Sequence, residues 1–285
     1  MIETINNKNI TCFYKYRPLA DDTGDAVNPY TLKMLKEGEL YFAKPSSFND
    51  PFDSQITYDT DLKTSDIKAL CKRMNASREN TDRIISCFKY NPSKIIKLFQ
   101  QKQADYLRLY CLSTNEKNIL MWSHYANNHT GICVGIKTYF LDQDSGNHPN
   151  IKIRNGYVKP NFFFQNAPNI LTPIKVKYTD SIPAKYNIGQ QNRDALEQVM
   201  LHKATDWQYE EEYRIVLWED VIQQNPICIE VSEITEIIFG LRASDKLIKE
   251  VKGVISNYPN NGANTKLYKC VQVPNKYALE KTEIS

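Results

Sequence analysis

The chain has 285 residues, enough to bury a full hydrophobic core as one large domain or two small ones. Its 36 basic residues nearly balance its 33 acidic residues, so the net charge gives no strong field for binding nucleic acid or a membrane. No apolar run approaches the roughly 20 residues that span a bilayer, and residues 1–12 lack the apolar stretch of a signal peptide, so we expect a cytoplasmic protein without a membrane partner.

The first part of the chain predicts two strands, a short helix between them and then a helical insertion. Residues 11–16 (TCFYKY) and 39–43 (ELYFA) are rich in the aromatic side chains that strands favour, and the helix between them is expected to end at Gly38. Over about residues 61–105, apolar side chains recur three and four positions apart, which predicts two or three helices. We predict that these helices form an insertion over the sheet.

The remainder predicts strands and helices that do not follow a strict βαβ order. Strands are expected at the segments LRLYCLST, ICVGI, PIKVKY, EEYRIVLW, ICIEV, ITEIIFG and TKLYKCVQV. Helices are expected at the start of residues 118–136, at residues 192–204 and at the segment SDKLIKEVKGVISN. Because strands outnumber helices, we predict an α+β fold with a mixed or mostly antiparallel sheet, in a single domain of residues 1–285.

The number and spacing of the seven cysteines indicate free thiols and not disulfide bonds. Their number is odd, they lie far apart, and no C-x-x-C pair occurs. This spacing predicts reduced, buried thiols in preference to a disulfide framework or a zinc site.

A first polar segment, SSFNDPFD, follows the strand predicted at residues 39–43. Asn and Asp side chains commonly bond to nearby backbone in turns, so the segment can be purely structural. Alternatively, the aromatic rings of Phe48 and Phe52, beside hydrogen-bonding groups, can form a slot for a flat ring and its sugar. The candidate binding groups for such a ligand are Ser46, Ser47, Phe48, Asn49 and Asp50.

A second segment, MWSHYANNHTG, carries two histidines. On a helix His129 lies off the face of His124, so the segment lacks the pair of histidines at i and i+4 that binds metals. His124 is our candidate acid or base, against the alternative of a hydrogen-bonded structural histidine. Tyr125 is a further candidate for the ligand pocket.

A third segment, WQYEEEYRIV, places three carboxylates at the start of a predicted strand. Alternation sends Glu210, Glu212 and Arg214 to one face and Glu211 to the other. Arg214 can keep one carboxylate ionised and leave the other free for a ligand, so Glu212 and Glu210 are candidate catalytic residues. The alternative is a salt-bridged strand edge.

Several segments together resemble a family of bacterial and phage proteins of unknown function, DUF2971. In chain order they are YKYRPL, GELYFAKPSSFNDPFD, LYCLS, MWSHYANNHTGICVGI, WQYEEEYRIV and ITEIIFG. The resemblance spans nearly the whole chain and implies that these loops matter, but it names no reaction. It also implies a context of phage defence or mobile elements.

A second pattern is similar to that of ADP-ribosyltransferases: an Arg on the first strand, a Ser after the second, and a later Glu-x-Glu. This similarity implies that Arg17 steadies the phosphates of NAD, that Ser46 or Ser47 supports the site, and that Phe48 packs on nicotinamide. It also implies that Glu212 holds the ribose hydroxyl, with Glu210 two residues before it. The segment KPSSF departs from the Ser-Thr-Ser stretch common in those enzymes. The implied function is an NAD-dependent ADP-ribosyltransferase or NAD-cleaving enzyme, acting on a protein or nucleic-acid acceptor that the sequence does not identify.

Two other functions stay open. A metal-dependent nuclease or phosphodiesterase would use carboxylates as Mg²⁺ ligands and His124 as base; the carboxylates would be Asp50, Asp53, Glu210 and Glu212. A non-enzymatic ligand-sensing module would line a pocket with Trp122, Tyr125 and the two phenylalanines. All of these functions require the three polar segments to border one cleft. We also expect Glu212→Gln to damage activity and leave the fold intact.

Overall fold

The computed structural model describes most of the chain. The described residues are 10–54, 57–59, 61–73, 75–97, 101, 107–140, 148–154, 169–182, 185–187, 200–218 and 226–284.

The centre of the protein is an eight-stranded sheet with the order β12-β11-β10-β3-β1-β2-β9-β6. Neighbouring strands are antiparallel except β10 and β11, which are parallel. The strands of this sheet are β1 (Cys12–Arg17), β2 (Leu107–Ser113), β3 (Ile132–Lys137), β6 (Ile174–Lys175), β9 (Glu212–Trp218), β10 (Ile234–Phe239), β11 (Lys266–Gln272) and β12 (Leu279–Glu283). The prediction of an α+β fold with a mixed, mostly antiparallel sheet is confirmed.

Two short two-stranded sheets complete the strands. The first joins β4 (Ile151–Lys152) to β5 (Ile170–Leu171) in antiparallel fashion. The second joins β7 (Lys177–Tyr178) to β8 (His202–Lys203) in parallel. The second sheet matters for the site, because it fixes the position of Lys203.

Helices cover both faces of the large sheet. The main core lies on one face, where α1 (Pro29–Glu37) and α5 (Asp245–Ile255) contribute buried apolar residues. On the other face, α4 (Ile119–Tyr125) packs Met121 and Trp122 against β1 and β3. Strand β1 supplies both cores, because Phe13 points to the first and its neighbour Tyr14 to the second.

Helix α1 ends at a glycine for steric reasons. Gly38 has φ +71°, a left-handed conformation that other residues rarely adopt, and a Cβ atom there would lie 2.0 Å from the carbonyl oxygen of Ile229. The N-terminus of helix α1 is capped by the Asn28 side chain, which accepts hydrogen bonds from the backbone N–H groups of Tyr30 and Thr31. The predicted helix end is confirmed.

The predicted insertion contains helices α2 (Thr64–Arg73) and α3 (Arg78–Tyr90). They pack around a small core of their own, which includes Ile67, Leu70, Cys71 and Phe88 together with Tyr186 from a later loop. That the chain is a single domain with this insertion stays a prediction.

Several predicted elements differ from the structure. Residues 39–43 form two isolated bridges, Glu39 with Cys228 and Ala43 with Leu109, and not a strand. The end of the helix predicted at 192–204 is strand β8, and residues 192–199 lie outside the described residues. In a segment as short as residues 39–43, strand-forming side chains indicate burial, but they do not ensure hydrogen-bond pairing with a neighbouring strand.

Two further expectations concern membranes and cysteines. None of the described helices combines the length and apolar character needed to cross a bilayer. All seven cysteines are free thiols. Contrary to the expectation of burial, Cys87 is exposed on α3.

Candidate functional site

The candidate site lies where β1 and β2 part. Strand β1 pairs with β3 along all six of its residues, but with β2 only at Tyr14 opposite Ser113. A cavity of about 150 Å³ opens beside this parting. Its lining comes from β1, β2, α4, residues 43–53, β8, the 3₁₀ helix Thr205–Glu210 and β9. The lining residues are Tyr14, Lys15, Tyr16, Ala43, Phe48, Asn49, Asp53, Leu109, Cys111, Leu112, Ser113, Met121, Tyr125, Lys203, Glu210 and Glu212.

The cavity has room for one ring-sized group. A cavity of roughly 150 Å³ is the size that accommodates benzene in an engineered apolar core. Here the walls combine the aromatic rings of Tyr14, Tyr16, Phe48 and Tyr125 with ionisable side chains. Such a mixed lining suits a flat ring that carries polar or charged substituents.

The predicted convergence of the three polar segments is confirmed. The first contributes Phe48, Asn49 and Asp53 to the lining, the second contributes Tyr125, and the third contributes Glu210 and Glu212. They also bond to one another: Tyr125 Oη donates to Glu210 Oε1 at 2.5 Å, and Asn49 Nδ2 lies 3.5 Å from Tyr125 Oη.

A buried network of five charges forms one wall of the cavity. Lys203 Nζ lies 2.5 Å from Glu210 Oε2, 3.3 Å from Glu212 Oε2 and 3.4 Å from Asp53 Oδ2. Arg214 is fully buried and binds two of the same carboxylates. The network therefore holds three carboxylates against two cations, in a region from which water is largely excluded.

Arg214 is saturated with hydrogen bonds. Its Nε donates to Glu212 Oε1 at 2.7 Å and its Nη2 to Glu212 Oε2 at 2.9 Å. On its other side it donates to both oxygens of Asp53, at 2.8 and 2.5 Å. Two bidentate pairs of this kind fix the planes of both carboxylates.

The two glutamates have pKa values moved in opposite directions. Burial and the neighbouring charge of Glu212 raise the pKa of Glu210 from 4.5 to about 7. Burial alone would raise the pKa of Glu212 as well, but Arg214 and Lys203 outweigh it and lower that pKa below its ordinary value. Glu212 therefore stays ionised at lower pH than an ordinary glutamate, while the pKa of Glu210 lies near neutral pH.

Glu210 and Glu212 do not lie on one continuous strand. The alternation predicted from the sequence is therefore wrong at this point. Glu210 ends a 3₁₀ helix (Thr205–Glu210), and Glu212 begins β9. Between them Glu211 takes a left-handed conformation with φ 47°, and its side chain turns outward to Thr114 and Asn115. This single reversal lets both flanking carboxylates reach Lys203.

Several predicted site residues do not line the cavity. Arg17 is buried near α1, where its Nε donates to Thr31 Oγ1. His124 is exposed and packs against Trp207 and Tyr209. Ser46 and Ser47 are exposed as well, and Ser47 Oγ donates to the carbonyl oxygen of Lys44.

Three other residues named in the sequence analysis, Asp50, Phe52 and Trp122, have separate roles. Asp50 accepts a hydrogen bond from the backbone N–H of Phe52 within the turn. The Phe52 ring is 77% exposed, so it does not form the expected slot with Phe48. Trp122 is fully buried, and its Nε1 donates to the carbonyl oxygen of Glu116.

The four carboxylates proposed as Mg²⁺ ligands do not gather into one coordination sphere. Asp50 serves the turn, and the oxygens of Asp53, Glu210 and Glu212 face Lys203 and Arg214. Within the described ranges, no group of three or more His, Cys, Asp or Glu side chains has the arrangement of a metal site.

Sequence reasoning missed two lysines of the cavity. Lys15 was detectable, since a lysine among strand aromatics breaks the apolar pattern; its Nζ donates to the carbonyl oxygen of Cys111 at 2.8 Å, and burial lowers its pKa. Lys203 follows apolar residues at the end of a predicted helix, and no periodic signal marks it.

Comparisons with known proteins give one match. No curated protein and no solved structure matches the chain. Nothing in these comparisons supports the similarity to ADP-ribosyltransferases, which stays a hypothesis. Residues 121–215 match the model of a family described as "Protein of unknown function (DUF2971)", a span that includes Tyr125, Lys203, Glu210, Glu212 and Arg214. Over about one third of its length, the chain is thus similar to this family.

Proposed function

We propose that the protein cleaves the bond between nicotinamide and ribose in NAD, either by hydrolysis or by transfer of the ADP-ribosyl group to an acceptor. One observation carries the proposal: two carboxylates on the wall of a ring-sized aromatic cavity have pKa values moved apart, one lowered and one raised to about 7. Such pairs commonly divide the roles of fixed charge and proton acceptor.

In the proposed reaction, the bond between ribose C1′ and the nicotinamide nitrogen breaks. Both electrons of the bond leave with nicotinamide, which becomes neutral, and positive charge develops on the ribose. The Glu212 carboxylate, held ionised by Arg214, stabilises that charge. The oxygen of water or of an acceptor then bonds to C1′, and Glu210 takes its proton. With water, the products are ADP-ribose, nicotinamide and a proton.

The cavity walls support placement of the nicotinamide ring. Phe48, which the similarity to ADP-ribosyltransferases assigns to this contact, lines the cavity, with its ring centre 5.7 Å from the Arg214 guanidinium carbon. Tyr125 and Asn49 also line the cavity, and their polar groups could bond to the carboxamide of nicotinamide. A context of phage defence or mobile elements, which the family resemblance implies, stays an expectation.

A second candidate is a ligand-binding module without catalysis. One observation favours it: both carboxylate oxygens of Glu212 already accept hydrogen bonds from Arg214 and Lys203. In that case the network would shape the cavity and recognise a positively charged ring, and no bond would break.

Release of nicotinamide from NAD, measured by chromatography with and without a cell lysate as a source of acceptors, tests the proposal. We expect Glu210→Gln and Glu212→Gln each to lower kcat by about a hundredfold or more. Glu211→Gln is the matched control, because Glu211 is exposed and its side chain hydrogen-bonds only to Thr114 and Asn115 among the described residues.

Glu210→Gln is the more informative variant. Glu210 resists ionisation in its buried position, so a neutral replacement of the same shape should leave the protein folded at pH 8. If wild type releases no nicotinamide while NAD still raises its melting temperature, the binding module replaces the enzyme as the conclusion.

A further inference from the structure

Three aromatic side chains cluster next to residues that line the cavity, without lining it themselves. His124 comes from α4, and Trp207 and Tyr209 come from the 3₁₀ helix that ends at Glu210. Their ring centres are 6.3 Å apart for His124 and Trp207, 6.3 Å for His124 and Tyr209, and 5.9 Å for Trp207 and Tyr209. We call these three residues the aromatic rim.

The aromatic rim is continuous with the proposed active site. The Nζ atom of Lys203, which lines the cavity, lies 4.8 Å from the centre of the Trp207 ring. The ring centres of His124 and Tyr125 are 6.4 Å apart, and Tyr209 directly precedes Glu210.

The rings of the rim do not cover one another. Their planes meet at 65°, 34° and 39°, so none of the three contacts is a parallel stack. His124 is exposed, and Trp207 and Tyr209 are partly exposed. Part of the surface of each ring is therefore accessible to a further ring, and accessible aromatic rings are the groups on which nucleobases stack in proteins.

The size of the cavity determines what the rim would hold. A volume of about 150 Å³ takes one ring system, whereas a nicotinamide dinucleotide carries two. If nicotinamide occupies the cavity, the adenine must lie outside it. We propose that the aromatic rim binds the adenine base of the dinucleotide by stacking, an inference that rests on the proposed function.

This inference gives His124 a different role from the one that the sequence suggested. It is exposed, its ring packs against Trp207, and it is absent from the cavity lining, so it is placed to contact a base and not to transfer a proton.

A comparison of two substrates tests the rim. NAD carries adenine and nicotinamide mononucleotide does not, so the ratio of their kcat/KM values reports the contribution of the base. We expect Trp207→Ala to lower this ratio by about tenfold, the loss of one base–aromatic stack, and Trp207→Phe to restore most of it. Tyr90→Ala, which removes an exposed ring on α3, is the control and should leave the ratio unchanged.

A binding measurement separates the rim from the reaction. Wild type should bind AMP more tightly than ribose 5-phosphate in calorimetry, and Trp207→Ala should abolish the difference. If that result holds but NAD is not cleaved, the proposed function fails and the adenine subsite stands. If NAD is cleaved but Trp207→Ala leaves the substrate ratio unchanged, the subsite is overturned and the function stands. Equal affinity of wild type for AMP and ribose 5-phosphate also overturns the subsite.

Discussion

The hydroxyl of Tyr125 donates a hydrogen bond of 2.5 Å to the carboxylate of Glu210, across 85 residues of sequence. This bond joins helix α4 to the end of the 3₁₀ helix Thr205–Glu210 and is one of the influences on the pKa of Glu210. It lowers the pKa of Glu210, in opposition to burial and to the charge of Glu212, which raise that pKa to about 7.

Replacement of Tyr125 by Phe should move the pH dependence of activity. The variant loses the hydrogen bond that favours the ionised carboxylate, so the pKa of Glu210 should rise above about 7. If Glu210 accepts a proton in the reaction, the acidic limb of the pH profile of kcat should shift to higher pH. Tyr139→Phe is the matched control, because Tyr139 donates a similar bond of 2.6 Å to Glu233, which does not line the cavity. An unshifted limb in Tyr125→Phe would remove Glu210 from the role of base.

The raised pKa of Glu210 predicts a specific pH dependence of stability. Between pH 4.5 and about 7, Glu210 retains its proton in the folded protein but loses it in the unfolded chain. The folded state then binds more protons, so this group's contribution to stability is full below pH 4.5 and is lost as the pH rises to about 7. Urea unfolding at several pH values should show wild type losing stability relative to Glu210→Gln over this range. A constant difference between the two proteins would contradict the raised pKa.

Glu212→Gln should lower the stability of the fold as well as the activity. The sequence alone had led us to expect a loss of activity with the fold intact. Arg214 is fully buried and would lose one of its two bidentate carboxylates. We expect a loss of about 3 kcal/mol in the free energy of unfolding, the lower end for breaking a buried ion pair, because Asp53 still pairs with Arg214. Urea unfolding checks this value, with Glu211→Gln as a control that should change it by less than about 0.5 kcal/mol. A fully stable Glu212→Gln would show that the pair contributes no net stability.

Two glycine substitutions provide a matched test of the packing that supports α4. A Cβ atom on Gly131 would lie 2.3 Å from the carbonyl oxygen of Arg17 and 2.7 Å from that of Ala126. Gly131→Ala should therefore cost about 1–3 kcal/mol of stability, since backbone atoms would have to move. A Cβ on Gly253 in α5 meets nothing within 4 Å, so Gly253→Ala should be neutral or stabilise by up to about 1 kcal/mol. Equal effects of the two changes on thermal unfolding would contradict the packing around Gly131.

The sequence by itself predicted the α+β class, the larger strands and the convergence of three polar segments. These features follow from local patterns: apolar and aromatic side chains run through β2 and β9, which are buried along nearly all of their described length, and polar groups beyond strand ends predict loops. The pair of Glu210 and Glu212 was visible because both residues lie in one short segment.

Only the tertiary structure decided which charges meet. Lys203 reaches both glutamates because β7 pairs with β8. Arg17 does not line the cavity because its side chain turns toward Thr31 in α1. Neither outcome has a local signal, since the position of a charged side chain depends on which distant segments pack around it. The pKa of Glu210 likewise arises from burial and from neighbours that the fold assembles, of which Tyr125 is 85 residues away in sequence. Sequence periodicity fixes the faces of individual elements, whereas the balance of buried charge is a property of the packed molecule.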